Sequence, residues 1–334
     1  MNSGKILVCG GAGYIGSHMV RMLKMRGYRP LVLDNLSTGH AGAVDSDDLI
    51  VGDVLDEGKL GEVFSNHRIE AVMHFCAKSL VAESFNMEEE YFHNNVGGLR
   101  CILRAMAAHK VGRIVFSSSC AVYADGPEIL TEESALGPTS PYGRTKLACE
   151  EALRNAARDG IDSVSLRYFN AAGACPLGGL GELHDPETHL IPLAIGAALG
   201  TRGPIQVFGD DYDTPDGTCL RDYVHVNDIC SAHIQALKTL EAKPGTHQVN
   251  IGTGDSYSVM EVLDAVERAA GAKVPYQVAS RRQGDPARRM ASNAMATRLL
   301  GWQPSPLSTI RRIAETAVAW HRSRVGTAKF ITQA

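Results

Sequence analysis

The segment Gly10-Gly11-Ala12-Gly13-Tyr14-Ile15-Gly16 constrains this chain more than any other stretch. It follows an apolar run over residues 5–10 that reads as a strand, and it opens a helical pattern over residues 14–26. Its glycines satisfy GxGxxG through Gly11, Gly13 and Gly16, and GxxGxxG through Gly10, Gly13 and Gly16. Glycine is needed where a turn takes unusual dihedrals and where backbone has to approach a pyrophosphate closely. The N–H groups opening the next helix, among them those of Tyr14 and Ile15, then present partial positive charge to the phosphates. A glycine turn that only tightens a strand–helix junction would share this pattern. The second strand, residues 29–34, decides between the two, because it ends in Asp34, 18 residues past Gly16. A carboxylate there accepts hydrogen bonds from ribose hydroxyls and repels a 2′-phosphate. The segment predicts a dinucleotide site that prefers NAD to NADP.

Further strands are expected at residues 49–53, 71–77, 113–119 and 163–170, mostly continuous apolar runs of the kind buried on both faces. Helical patterns at 60–67, 94–109 and 142–159 separate them. This alternation predicts an α/β fold: a doubly wound parallel sheet of the Rossmann type with a smaller mixed α/β lobe. After residue 170 the texture turns rich in Gly, Pro and Asp, with one apolar helix over 190–199. A strand–helix rhythm returns at 223–240, and 249–252 reads as a last buried strand. Ser305 followed by Pro306 marks the start of a terminal helix. The expected division is 1–170 plus about 222–252 for the dinucleotide domain, and about 171–221 plus 253–334 for the lobe. No internal repeat is present.

Composition excludes several classes of function. A formal net charge of −4 over 334 residues leaves no global basic field for nucleic acid or an anionic membrane. No apolar stretch reaches the roughly 18 residues of a membrane span, and the short apolar run at the N-terminus is no signal peptide. None of the eight cysteines forms a CxxC pair, so neither a disulfide framework nor a metal site is expected, and the location expected is cytoplasmic.

Tyr142-Gly143-Arg144-Thr145-Lys146 puts a phenol and an ammonium at i and i+4, on one helix face. A nearby cation favours the phenolate, so Tyr142 can serve as a base below its usual pKa of about 10. An ordinary solvated helix pair has the same spacing. Here, however, residues 113–116 run into Ser117-Ser118-Ser119, a hydroxyl at the carboxyl end of a parallel strand, where such folds place ligands. Those serines could instead bond the local backbone.

With these residues in view, the chain resembles an extended short-chain dehydrogenase/reductase, and within that family the UDP-glucose 4-epimerase branch. The resemblance spans nearly the whole chain. It rests on GGAGYIGSH (10–18), LDNLSTG (33–39), GDV (52–54), HFCA (74–77), NNV (94–96), SSSCAVY (117–123), SPYGRTK (140–146), RYFNAAGA (167–174), RDYVHV (221–226) and RQGDPA (282–287). It implies a reversible 4-epimerisation of UDP-glucose and UDP-galactose through a 4-keto sugar, on NAD held tightly and regenerated in each turnover. It also implies a homodimer formed through the helices at 94–109 and 142–159.

The same resemblance assigns roles. Tyr142 is the base, Lys146 its pKa-lowering partner and ribose ligand, and Ser119 the hydrogen bond to the sugar O4. Gly10, Gly13, Tyr14, Ile15, Gly16, Asp34 and Asn35 hold the pyrophosphate and adenosine ribose, and Asp53 and Val54 meet the adenine. Phe75, Cys76, Ala77, Lys78, Asn94 and Phe169 line the rest of the NAD site. Asn170, Phe208, Arg221, Arg282 and Asp285 face the nucleotide sugar, with both arginines suited to clamp a diphosphate or to form ion pairs instead. Three positions depart from the family pattern. Cys76-Ala77-Lys78-Ser79 replaces a segment ending Gly-Leu-Lys. His189 stands where an asparagine usually faces substrate. Arg289 stands where a tyrosine or smaller residue sits beside the sugar ring, as a gate against a 2-acetamido group.

Other readings remain on the residues alone. Another UDP-sugar (a pentose, a uronate or an N-acetylated hexosamine) would use the same chemistry. A 4,6-dehydratase needs an Asp-Glu pair after the strand-end hydroxyl, where this chain has Cys120 and Ala121. A catalytically silent NAD sensor on this fold would be expected to lack the Tyr142/Lys146 pair.

Overall fold

In a parallel strand buried on both faces, successive side chains feed two different layers. The first strand, Lys5–Cys9, does this: Ile6 and Val8 enter one core, Leu7 and Cys9 the other. The computed structural model describes residues 4–282 and 285–331. Seven parallel strands form its central sheet, in the order Thr246–Ile251, Asp162–Tyr168, Arg113–Ser119, Ile69–His74, Lys5–Cys9, Pro30–Asp34, Leu49–Val51. Chain order therefore reverses between Lys5–Cys9 and Ile69–His74, which opens a crevice at the carboxyl ends of those two strands.

Helices Tyr14–Met25 and Val226–Ala242 cover one face, burying Met19, Leu23, Ile229 and Leu237. Helices Glu57–Asn66, Gly98–Ala108 and Pro141–Ala156 cover the other, with Leu60, Phe64, Ile102, Met106 and Leu153 inside. A third apolar cluster joins helices Leu190–Ala198 and Val259–Ala270 with the helix that begins at Ile310, through Ile195, Val266, Ile313 and Ala317. Short strands surround it: Leu220–Arg221 pairs with Tyr257–Ser258 and Arg288–Ala291, and Ile205–Phe208 pairs with Tyr276–Ala279. No helix among the described residues is long and apolar enough to cross a membrane.

The sequence expectations differ from this fold at a few joints. The strand expected over 163–170 breaks at Phe169, and Asn170–Ala172 leaves the main sheet to pair with Tyr223–His225. The helix expected from residue 94 starts as a π-helical turn, Phe92–Gly97. Ser305 and Pro306 begin only a short 3-10 turn, Pro306–Ser308, before the long helix. The reason lies with Asp228, whose Oδ2 accepts both the N–H and the hydroxyl of Ser305 at 3.0 Å and pins the turn down.

Candidate active site

The strand ends place the expected site residues. Gly10, Asn35, Asp53, Phe75, Ser119 and Phe169 all lie at or just past the carboxyl end of a sheet strand. Gly10 turns the chain with φ of 77°, and a Cβ on Gly16 would sit 2.1 Å from the Gly10 carbonyl oxygen, so only glycine lets the helix close on the loop. Gly13 caps helix Tyr14–Met25 without a side-chain bond, and no acidic residue occupies its first turn. The free N–H groups there fit a pyrophosphate. Tyr14 donates its hydroxyl to the Gly173 carbonyl at 2.6 Å, and Ile15 packs on the core.

Asp34 is buried, and its two oxygens accept the N–H groups of Ala12 at 2.9 Å and Leu36 at 2.8 Å. A carboxylate has about four acceptor positions, so two remain for ribose hydroxyls. Asn35 donates to Asp53 at 2.8 Å, and Asp53 also accepts the Leu55 N–H, which joins the ribose and adenine candidates into one rim. Val54 is buried beside them. This donor and acceptor set fits a dinucleotide.

The segment after His74 forms the other wall. Phe75 packs on the His233 ring with centroids 4.6 Å apart. The Cys76 sulfur lies 3.6 Å from His74 Nε2, and Cys9 and His74 together hold the Cys76 thiol below its ordinary value. Ala77 stands half-buried between Cys76 and Lys78. Lys78 turns its ammonium to Glu90 at 2.6 Å. Asn94 donates to Asn95 at 2.9 Å, and Asn95 is a residue that sequence reasoning missed. Fully buried, Asn95 accepts the Lys78 N–H and donates to the Lys78 carbonyl and the Thr145 hydroxyl. It therefore ties the 75–79 segment to the helix that carries Tyr142.

That helix starts cleanly. Ser140 caps it by accepting the Gly143 N–H at 3.1 Å, with Pro141 in its first turn. A Cβ on Gly143 would fall 2.3 Å from the Ala121 carbonyl oxygen, so glycine lets the helix press onto the chain just past Ser119. The Tyr142 phenol reaches the Ser119 hydroxyl, while Ser119 Oγ also accepts the Ala121 N–H at 3.2 Å. Burial pushes the Tyr142 phenol up to about 12 against the opposing pull of Ser119. Lys146 is buried, donates to the Ser117 carbonyl at 2.7 Å and stands 5.7 Å from the Tyr142 ring centroid. Burial brings its ammonium down to about 8, so it stays charged at neutral pH. Burial outweighs Ser119, and Lys146, expected to lower the phenol, is not among the groups that shift it; a phenolate needs additional positive charge beside it.

The expected sugar-nucleotide residues gather across the crevice. Arg221 donates to Asp285 at 2.9 Å and, through Nη1, to the Leu220 and Pro286 carbonyls. Among the described residues its Nε–H and one Nη2 N–H have no partner, which suits an anion. Arg282 stacks 4.0 Å over the Phe208 ring, and the Asp285 N–H returns to the Arg282 carbonyl. Gln283 and Gly284 of the same block lie outside the described residues. Phe169 is buried with Val122 and Tyr123, and Asn170 donates its N–H to the Asp222 carbonyl. Arg289 pairs in register with Arg221, stays largely buried, and reaches Asp125 at 3.5 Å. His189 instead caps helix Leu190–Ala198 and points at Glu182 and Glu187, 2.9 and 3.1 Å away.

With a Rossmann-type sheet, a glycine phosphate loop and a Ser–Tyr–Lys group at one strand end, residues 6–252 match the model of the NAD dependent epimerase/dehydratase family, and the chain belongs to that family. Within it, the similarity is to UDP-glucose 4-epimerases. The enzyme of that name from Halalkalibacterium halodurans is 45% identical over 95% of each chain. The structure of UDP-glucose 4-epimerase from Brucella ovis in complex with NAD superposes with a TM-score of 0.92 at 44% identity, covering 95% of this chain and 98% of that one. The Bifidobacterium longum enzyme in complex with NAD+ and UDP gives 0.90 at 37% identity, covering 96% and 98%.

Proposed function

We propose that this chain is an NAD-dependent UDP-glucose 4-epimerase that interconverts UDP-glucose and UDP-galactose. The observation that carries the reading is the meeting of the Tyr142 phenol with the Ser119 hydroxyl at the end of strand Arg113–Ser119. Tyr142 takes the proton from O4 of the sugar and later returns it, while Ser119 hydrogen-bonds the same oxygen. Lys146, charged and fixed by the Ser117 carbonyl, holds a ribose hydroxyl and adds positive potential behind the phenol. Bound NAD would supply the hydride acceptor at C4, give the hydride back to the opposite face of a 4-keto sugar, and bring the further positive charge the phenol needs. Arg221 and Arg282 grip the nucleotide diphosphate, which leaves the sugar free to turn over in the pocket. Cys120 and Ala121 follow Ser119 and supply no acid–base pair, which favours epimerisation over 4,6-dehydration.

The reading includes the division into a dinucleotide domain and an interleaved substrate lobe, a homodimer formed through the helical segments over 94–109 and 142–159, and a cytosolic location. The test is conversion of UDP-galactose to UDP-glucose by the purified protein with no NAD added. Tyr142→Phe should retain bound NAD and lose about 10²–10⁴-fold of the rate, as expected for loss of a general base. Retention of more than about a third of the rate would remove Tyr142 from the mechanism.

A further inference from the structure

Glu182, His184, Glu187 and His189 converge in the loop that leads into helix Leu190–Ala198, outside the residues used above for chemistry. One donor atom from each lies within 4.8 Å of the other three. His184 Nδ1 is 3.3 Å from Glu182 and 3.7 Å from Glu187, and His189 Nδ1 is 2.9 and 3.1 Å from the same two residues. A tetrahedral ion with bonds of about 2.0–2.1 Å to nitrogen and oxygen sets its donors roughly 3.3–3.4 Å apart. Glu182 Oε1 stands near that edge length from both imidazoles, at 3.3 and 2.9 Å, while Glu187 faces His184 through Oε2 at 3.7 Å and His189 through Oε1 at 3.1 Å.

Hydrogen bonding accounts for only part of the arrangement: His189 Nδ1 lies within hydrogen-bond distance of Glu187 Oε1, at 3.1 Å. Nδ1 of His184 is buried and has no hydrogen-bond partner among the described residues, although it faces both carboxylates. The Glu182 and Glu187 side chains are only 8% and 15% exposed, so their two negative charges need two positive ones close by. A single divalent cation supplies both and leaves the imidazoles neutral, the form in which they ligate. Glu187 is already aimed, because its Oε1 accepts the N–H groups of Thr188 and His189 at 2.8 Å each.

We propose that Glu182, His184, Glu187 and His189 bind one divalent cation of the zinc class. Two imidazoles and two carboxylates suit zinc better than calcium or magnesium, which take oxygen alone, and better than copper(I), which takes sulfur. Four protein ligands leave no open position, so the ion is structural. It fastens the 182–189 loop beside the phosphate loop: the His184 ring meets the Tyr14 ring edge-on at 6.4 Å, and His40 Nε2 lies 3.2 Å from the Leu183 carbonyl. His189, expected from the sequence at the sugar, becomes a ligand of the ion. The inference stands independently of the epimerase reading.

The test uses the full chain without a histidine tag, incubated with zinc chloride, desalted and assayed for metal by mass spectrometry. About one zinc per chain should remain, and a chelator should lower Tm by at least about 3 °C. Cobalt in its place should show the strong visible absorption of a tetrahedral site without a thiolate charge-transfer band. His189→Gln, at a side chain 44% exposed and so tolerated by the fold, should lose most of the zinc and most of the chelator effect. Wild-type protein retaining less than about a tenth of an equivalent would overturn the proposal. So would a thiolate band, or His189→Gln and Glu187→Gln both holding zinc as wild type does.

Discussion

Glu150 is fully buried on helix Pro141–Ala156, and its carboxylate accepts three hydrogen bonds: from the Ser118 hydroxyl at 2.6 Å, and from Arg167 Nε at 2.9 Å and Nη2 at 2.7 Å. The Arg167 side chain is 3% exposed, and its Nη1 donates to the Tyr123 hydroxyl at 2.9 Å, which donates to Asn250 at 2.6 Å. Glu150→Gln keeps the shape and one acceptor oxygen. It turns an NH₂ group towards a guanidinium and leaves the arginine charge buried without a counter-charge. Removing one member of such a pair costs about 2–5 kcal/mol, against a typical total stability of about 5–15 kcal/mol. Urea unfolding followed by circular dichroism should show this loss as a lower midpoint at unchanged slope. A loss below about 1 kcal/mol would refute the reasoning, because the arginine would then be compensated elsewhere. Glu150→Leu combined with Arg167→Met removes both charges and should recover most of the loss. Recovery of less than half would place the cost in the bonds to Ser118 and Tyr123 instead.

Burial holds Lys146 near 8 instead of its ordinary 10.5, so between those values the folded protein binds fewer protons than the unfolded chain and wild-type stability rises with pH. The advantage of Lys146→Met over wild type should therefore shrink by about 3 kcal/mol from below to above that window, and a pH-independent difference would refute the burial argument. Asp34 predicts NAD binding at least about tenfold tighter than NADP binding, a gap of about 1.4 kcal/mol; calorimetry on Asp34→Ala should show the gap narrowed, and an unchanged ratio would move the preference to another group. Arg289, largely buried beside Arg221, predicts that kcat/KM for UDP-galactose exceeds that for UDP-N-acetylgalactosamine by about 10²-fold and that Arg289→Ser closes the difference. Wild-type values within about threefold would exclude a gate.

What the sequence made legible was local. The glycine loop, Asp34 and the Tyr142/Lys146 spacing each fit within one strand–turn–helix unit, where neighbours in sequence are neighbours in space, and the parallel sheet followed from the rhythm of such units. What it hid depends on partners far along the chain. Asn95 looks like any helix asparagine until Lys78 and Thr145 arrive at its side chain, 17 and 50 residues away. Asp222 lies inside a quoted motif, yet its work was invisible: buried, it accepts the N–H groups of Thr253, Gly254 and Ala291 and so sets the strand that carries Arg221. His189 stands, by resemblance, where an asparagine faces substrate, and only the fold turns its ring to Glu182.

Three serines in a row show how the local and distant parts combine. Ser117, Ser118 and Ser119 are identical in sequence and could each have bonded the nearby backbone. In the fold, one row of helix Pro141–Ala156, stepping by four residues, meets all three. Tyr142 reaches the Ser119 hydroxyl, Lys146 the Ser117 carbonyl and Glu150 the Ser118 hydroxyl. Residues four apart on a helix stack along one face, so the phenol, the ammonium and the buried carboxylate cannot shift independently against the strand. The Glu150–Arg167 pair at the inner end therefore fixes the depth at which Tyr142 stands at the outer end. Gly143, pressed on the Ala121 carbonyl, fixes its approach from the other side. In the proposed epimerisation a proton acceptor within hydrogen-bond distance of a turning sugar needs that rigidity, which would give a physical reason for a buried ion pair two helical turns below the Tyr142 phenol.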